Sequence, residues 1–176
     1  EISACLVGSE MCIRDRRIFP QAVLDALCAM DAIAIGEQGI GCYPFSARQT
    51  EIHVHFAGKS VHAMCAIDAL AIPRMVRQAA RITARCVVCR CHLACSLAAN
   101  GSVEKEHQNP EAARVVWESG AGEGQACCNS LCVNINFVCR HCTTSPGALI
   151  FSLPQAAAMG NAFFSFQRRL LGHYST

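Results

Sequence analysis

The spacing of apolar residues changes several times along the chain, and each change predicts a different element. Residues 20–34 carry apolar side chains at helical spacing behind Pro20, a residue that suits the first turn of a helix. Residues 50–56, TEIHVHF, alternate between polar and apolar and predict a strand. Residues 61–72, VHAMCAIDALAI, are almost continuously apolar and predict a buried helix that ends near Pro73.

The rest of the chain predicts short strands, breaker-rich loops and a closing helix. A glycine-rich turn with a short strand is expected at 36–43, and a second short helix after Pro73. The later expectations are two strands around a cysteine-rich bend (81–99), a loop (99–112), a strand (113–119), a turn (120–124), two strands (130–138 and 149–153) and a helix (154–171). The predicted fold class is α+β, a mixed but mainly antiparallel sheet core with flanking helices.

Composition narrows the possible functions. The chain has 176 residues, 52% of them hydrophobic, 16% charged, and a formal net charge of +2. That charge predicts neither nucleic-acid nor membrane-surface binding. No apolar run reaches the roughly 18 residues of a membrane-spanning helix. The fourteen cysteines accompany a core large enough to need no disulfides, so we predict reduced thiols and a cytoplasmic location.

The first sixteen residues follow no period. The segment SEMCIRDR within them resembles a translated adaptor sequence. We therefore expect residues 1–16 to be a non-native segment that stands outside the fold.

A thiol and a carboxylate share the apolar run at 61–72. Cys65 and Asp68 are three residues apart, which puts them on one face of a helix and within reach of each other. Such a pair suits a site where a soft cation replaces the thiol proton and the carboxylate takes that proton up. The other interpretation is a core cysteine beside a capping aspartate. His62 could also form a Cys–His dyad with Cys65, although the sequence favours a solvated histidine.

Further cysteines form two other candidate groups. Two Cys-x-x-Cys pairs, about fifty residues apart, could together hold a structural zinc ion, although neither has the glycine-bearing turn usual in zinc ribbons: Cys86 with Cys89, and Cys139 with Cys142. Another group lies in ACCNSLCVNINF, where a thiol near a buried strand could oppose Cys65 and make a two-thiolate site for a soft metal: Cys127, Cys128 and Cys132. In both groups, cysteine could instead be a small apolar residue.

Taken together, four segments resemble the alkylmercury lyase family. The most specific is HAMCAIDALAIP with its later cysteine (62–86). The others are SLCVNINFV (130–138), ALIFSLPQAAAMGNAF (148–163) and YPFSARQT (43–50). The resemblance implies residues 17–42 as the remnant of a truncated, winged-helix-like helical region and 43–176 as the catalytic core.

The resemblance also implies roles for individual residues. Cys65 corresponds to the first thiolate, Asp68 to the proton carrier and Cys86 to a structural cysteine. Cys132 corresponds to the second thiolate when the segments are aligned without a gap, whereas aligning on the adjacent pair Cys127–Cys128 requires an insertion.

The activity implied is protonolysis of a carbon–mercury bond to give a hydrocarbon and Hg(II), without an organic cofactor. Hg(II) would then pass to small thiols or to a mercuric reductase. Two other functions stay open on the residues alone: a non-catalytic thiol protein that binds or senses a soft metal such as mercury or copper, and a structural-zinc protein.

Overall fold

The computed structural model describes residues 21–36, 39–104, 113–120 and 126–166. Over these ranges the helices are α1 (Gln21–Ala29), α2 (Ala66–Val76), α3 (Cys127–Ser130) and α4 (Leu153–Phe163). The strands are β1 (Ile33–Gly36), β2 (Gly39–Cys42), β3 (Phe45–Ser46), β4 (His53–Phe56), β5 (Lys59–Ala63), β6 (Ala80–Arg85), β7 (His92–Leu97), β8 (Ala113–Trp117), β9 (Ile135–Cys139) and β10 (Leu149–Ser152). The expectations for residues 1–16, 105–112, 121–124 and 167–171 lie outside the described residues.

The described strands form two antiparallel sheets. The larger has the order β1-β2-β3-β5-β4-β6-β7, and the smaller has the order β10-β8-β9. Every strand pairing within the described ranges is antiparallel. The predicted α+β class with a mainly antiparallel core is therefore confirmed. A backbone hydrogen bond of 3.0 Å from Val87 N–H to the Phe137 carbonyl joins the turn after β6 to β9.

Helix α2 lies at the centre of the core. Its residues from Ala66 to Pro73 are all buried, as expected for a helix that is apolar on every side. It contacts β4, β5, β6, β9 and α4. At Gly160 of α4 an added Cβ would lie only 2.7 Å from the Ile67 carbonyl oxygen, so the two helices approach closely because this residue has no side chain.

Helix α2 begins and ends later than its sequence predicts. Residues 59–63 are a strand, paired with β4 across a two-residue turn in which Ala57 and Gly58 both have positive φ. The alternation of polar and apolar residues in this strand is hard to recognise in the sequence because a continuous apolar run follows it. Pro73 lies inside the helix, which continues to Val76, so the predicted second helix after Pro73 is wrong. The free energy gained by packing this buried helix exceeds the cost of the backbone hydrogen bond that Pro73 cannot donate.

Three other segments differ from their predicted structure. Helix α1 ends at Ala29, since Asp31 takes a positive φ of 54° and the chain turns into β1. Residues 33–36 and 39–42, predicted to finish a helix and to form a turn with one short strand, instead pair as the antiparallel strands β1 and β2 at the sheet edge. The segment predicted as strand 130–138 begins instead with α3 and a 3-10 turn, Cys132–Asn134, before β9.

The C-terminal strand and the start of the closing helix agree with the sequence, whereas α4 ends at Phe163, inside the range predicted for it. Strand β10 leads directly into α4, whose first turn carries Pro154 and a capping box between Ser152 and Gln155. The two strands predicted around a cysteine-rich bend are β6 and β7. Among the described helices, none is long and apolar enough to cross a bilayer.

Candidate functional site

Cys65 lies at the N-terminus of α2 and caps it. Its backbone is extended, with φ −150°, and its Sγ accepts a hydrogen bond of 3.4 Å from the Asp68 backbone N–H. This is the position and role that serine or threonine usually takes. The cap explains why the helix begins at Ala66. Cys65 itself is only 3% exposed.

Asp68 occupies the third position of the helix and is buried with Cys65. The spacing from cap to third residue is that of a capping box, and an acidic group is favoured here by the helix dipole. Only 5% of the residue is exposed. Burial raises the pKa of the Asp68 carboxyl to about 6, although hydrogen bonds from the Cys65 and Cys132 thiols and from the Cys65 backbone partly oppose the rise.

Cys132 completes a buried group of two thiols and one carboxylate. It opens the 3-10 turn before β9, is 6% exposed, and donates from Sγ to Asp68 Oδ2 over 3.7 Å. Each of the three residues offers a ligand atom, and these atoms all lie within 4.8 Å of one another. We call Cys65, Asp68 and Cys132 the thiol–carboxylate site.

The Cys65 thiol of this site is held in its protonated form. Burial, a side-chain hydrogen bond with Cys132 that favours the protonated Cys65 thiol, and the nearby Asp68 carboxylate all raise the pKa of Cys65, against the opposing Asp68 backbone N–H. A proton on such a thiol leaves readily only when another cation replaces it at sulfur. The adjacent carboxylate is the group within reach that can receive that proton.

The segment carrying Cys132 is anchored by two residues, Asp31 and Tyr43, that no sequence pattern singles out for a role in the site. Asp31 Oδ2 accepts from the Cys127 backbone N–H over 2.8 Å, and the Tyr43 hydroxyl accepts from the Cys128 N–H over 2.6 Å. The Tyr43 hydroxyl in turn donates to Asp31 over 3.1 Å. These contacts hold α3, which comes directly before Cys132. No spacing or motif links the residues, because they are brought together only by the folded chain.

The alternative partners for Cys65 lie elsewhere. Cys127 is exposed and Cys128 half-buried, and neither belongs to the group of mutually close ligand atoms. His62 lies on β5, where its Nδ1 is 2.9 Å from the Thr50 carbonyl oxygen. The structure therefore brings Cys132, rather than Cys127 or Cys128, to Cys65 and Asp68.

A second group of thiols forms from the two Cys-x-x-Cys pairs. Their four sulfur atoms also lie within 4.8 Å of one another: Cys86, Cys89, Cys139 and Cys142. We call this the four-cysteine cluster. It shares no residue with the thiol–carboxylate site, and its sulfurs are free thiols in the structure.

Comparison with known proteins agrees with this geometry. The alkylmercury lyase (MerB) family model matches residues 45–165. A solved structure, the mercury-bound form of MerB2, is similar with a TM-score of 0.65 and 19% sequence identity, over 90% of this chain and 82% of that one. Among curated proteins none matches the chain.

The family match extends over more than half of the chain and includes all three residues of the thiol–carboxylate site. The solved structure shows that the fold is shared. The resemblance predicted from the sequence is thereby confirmed, and so is the prediction of an enzyme that acts on carbon–mercury bonds. The chain belongs to the alkylmercury lyase family.

Proposed function

We propose that this chain cleaves the carbon–mercury bond of organomercury ions by protonolysis, with Cys65 and Cys132 as mercury-binding thiolates and Asp68 as the proton carrier. One observation carries the proposal: two thiols and a carboxylate lie within 4.8 Å of one another in a buried setting. Sulfur is the ligand a soft cation prefers, and a carboxylate beside it can store a proton.

The reaction begins when the organomercury ion replaces the proton of a thiol. A sulfur–mercury bond forms at Cys65, and the released proton passes to the Asp68 carboxylate. Cys132 then binds the same mercury atom and gives up its own proton to solvent. Two sulfur donors increase the electron density on mercury, which weakens its bond to carbon.

Cleavage follows by proton transfer from Asp68 to the carbon. The electron pair of the carbon–mercury bond stays on carbon, which takes the proton and leaves as a hydrocarbon. Hg(II) remains bound by two thiolates, and Asp68 returns to its charged form. A carboxyl pKa of about 6 supports this role, since a group that titrates near neutral pH can both accept and return a proton.

The remaining parts of the proposal concern cofactor, partners and location. The two thiols and the carboxylate supply all groups that the steps above use, so no organic cofactor is invoked. Hg(II) leaves to small thiols or to a mercuric reductase in the cytoplasm. All twelve cysteines in the described ranges are free thiols, which suits a reducing compartment. Neither nucleic acid nor a membrane has a part.

Benzene release from phenylmercury by the purified, reduced protein, with excess small thiol, tests the activity directly. Cys65→Ser and Cys132→Ser should each abolish release, because each removes one sulfur ligand. Cys128→Ser is the matched control, since it changes a nearby thiol outside the site, and should retain most of the activity. Loss of release in Cys128→Ser but not in Cys132→Ser would show that Cys128, and not Cys132, is the second thiolate.

Asp68→Ala separates an enzyme from a thiol protein that only binds mercury. We expect benzene release to fall by about 100-fold or more, the usual contribution of a general acid. Stoichiometric Hg(II) binding, followed by ultraviolet absorption of the mercury–thiolate bonds, should remain because both sulfurs are intact. Parent-like cleavage by Asp68→Ala would refute the proton-carrier role, and mercury uptake without cleavage by the parent would favour the binding protein.

A further inference from the structure

The four-cysteine cluster has the dimensions of a tetrahedral metal site. Three of its six sulfur–sulfur distances are 3.8 Å for Cys86–Cys142, 3.7 Å for Cys89–Cys139 and 3.3 Å for Cys139–Cys142, and the others are at most 4.8 Å. Zinc–sulfur bonds of about 2.3 Å in a tetrahedron place the sulfurs about 3.8 Å apart. Two of the distances therefore match an S₄ zinc site, and the third requires a shift of about half an ångström.

Backbone amides point at the sulfurs in the way a thiolate requires. Cys86 Sγ accepts from the Cys139 N–H over 3.3 Å and also from the N–H groups of Val88 and Cys89. Cys139 Sγ accepts from the N–H groups of His141 and Cys142. In each Cys-x-x-Cys pair the first sulfur is thus surrounded by amides of its own turn, which stabilises negative charge on sulfur.

The turn after the first pair has the backbone shape of a glycine-bearing turn although it contains no glycine. Arg90 has a φ of 62°, the left-handed conformation for which zinc-binding turns usually employ glycine. Its backbone N–H bonds to the Cys86 carbonyl over 2.9 Å, and the Cys86 N–H bonds to the Cys91 carbonyl over 2.9 Å. The missing glycine is therefore no argument against metal binding, since an arginine adopts the same backbone.

The second pair is held from outside by a cation. The Arg114 guanidinium on β8 donates to the carbonyl oxygens of Cys139, Arg140 and Cys142, over 3.4, 3.3 and 3.1 Å. These bonds fix the turn 139–142 and place a positive charge at the turn that carries two of the four sulfurs. Four thiolates around one divalent cation carry excess negative charge, which an adjacent guanidinium offsets.

We propose that Cys86, Cys89, Cys139 and Cys142 bind one Zn(II) ion in a closed tetrathiolate site. Four sulfurs fill the coordination sphere, so the ion has no open position for substrate and acts structurally. It joins the turn after β6, in the larger sheet, to the end of β9, in the smaller sheet. Strand β9 comes directly after the turn that carries Cys132. The proposal is independent of the carbon–mercury chemistry.

Metal content of the parent protein is the first test. Protein purified under reducing, anaerobic conditions and reconstituted with Zn(II) should contain about one zinc per chain by elemental mass spectrometry. Replacement of zinc by Co(II) should give the intense visible bands of tetrahedral cobalt with sulfur-to-metal charge transfer. Absence of zinc uptake, or cobalt bands typical of an octahedral oxygen site, would overturn the proposal. Bound iron with the absorption of a four-sulfur iron centre would show that the cluster holds iron instead of zinc, and this result would also overturn the proposal.

Substitutions identify the four ligands. Cys89→Ser and Cys142→Ser should lower zinc content to near zero and abolish the cobalt bands. Cys91→Ser is the matched control because Cys91 is exposed in the same turn and near Cys89, yet lies outside the cluster. Zinc retained by Cys89→Ser and lost from Cys91→Ser would refute the ligand assignment.

A conservative variant keeps the test valid where serine prevents folding. Cys142→His replaces one sulfur with another common zinc ligand, giving a Cys₃His set. It should bind zinc and shift the cobalt charge-transfer bands, as expected after loss of one of four sulfurs. A Cys142→His protein that binds Co(II) with unshifted charge-transfer bands would exclude Cys142 as a ligand.

Discussion

Asp68→Asn should make the protein more stable while it removes the proposed proton carrier. The carboxylate is 5% exposed and its pKa lies at about 6 in the folded chain, against 3.8 for an ordinary aspartate. Folding therefore disfavours the charged form. Asparagine has nearly the same shape, carries no charge, and still offers an oxygen to the Cys132 thiol.

The size of the gain comes from the pKa difference. About two pH units, at 1.36 kcal/mol each, correspond to about 3 kcal/mol at neutral pH. The sign follows from proton binding: between pH 3.8 and about 6 the folded chain holds the proton more tightly than the unfolded chain. The stability contributed by Asp68 thus falls as the pH rises through this window and is constant above it. Below the window both states are protonated and the penalty is absent.

Urea unfolding of parent and variant in the same reducing buffer, at pH 4.5 and 7.5, measures the effect. The free energy of unfolding of Asp68→Asn should exceed that of the parent by up to about 3 kcal/mol at pH 7.5 and by much less at pH 4.5. Asp25→Asn is the control: Asp25 is exposed, and its change should stay within about 0.5 kcal/mol. A gain that is equal at both pH values, or a loss at pH 7.5, would show that burial does not set the Asp68 pKa.

Three further substitutions test the scaffold by urea unfolding. Gly160→Ala should cost about 1–3 kcal/mol, because its Cβ would lie 2.7 Å from a backbone oxygen of α2; an unchanged stability would contradict this close approach. Tyr43→Phe should cost about 1–3 kcal/mol, since the Cys128 N–H loses its acceptor; no cost would mean that this bond does not anchor α3. Leu70→Ala, fully buried, should cost about 2–5 kcal/mol, whereas the exposed Val23→Ala should cost under about 0.5 kcal/mol. Equal costs would place Leu70 outside the core.

The sequence predicts elements well where one period dominates and poorly where two elements share an apolar run. The continuous apolar character around Asp68 predicts a helix, but it predicts a start at residue 61 because strand β5 leads almost directly into the helix. The spacing of Cys65 and Asp68 is that of a capping box. Interpreted as a cap, it would have placed the helix start at Ala66.

Local sequence patterns do not predict which distant segments of the chain contact each other in the fold. The spacing within each Cys-x-x-Cys pair is visible in the sequence, but the approach of Cys86 to Cys139 depends on the packing of two sheets. The same holds for Cys132, whose partner Cys65 is on a separate helix. The resemblance to a known family supplied that pairing, since neither propensity nor hydrophobic period specifies a tertiary contact.

The helix cap formed by Cys65 has a consequence for how such chains diverge. Serine is among the residues that best cap a helix, and a cysteine codon becomes a serine codon by a single nucleotide change. A lineage that no longer meets organomercury compounds can therefore lose this sulfur without losing the helix. Stable descendants with serine at position 65 are expected to keep the whole fold, so in this family likeness of structure can outlast the chemistry.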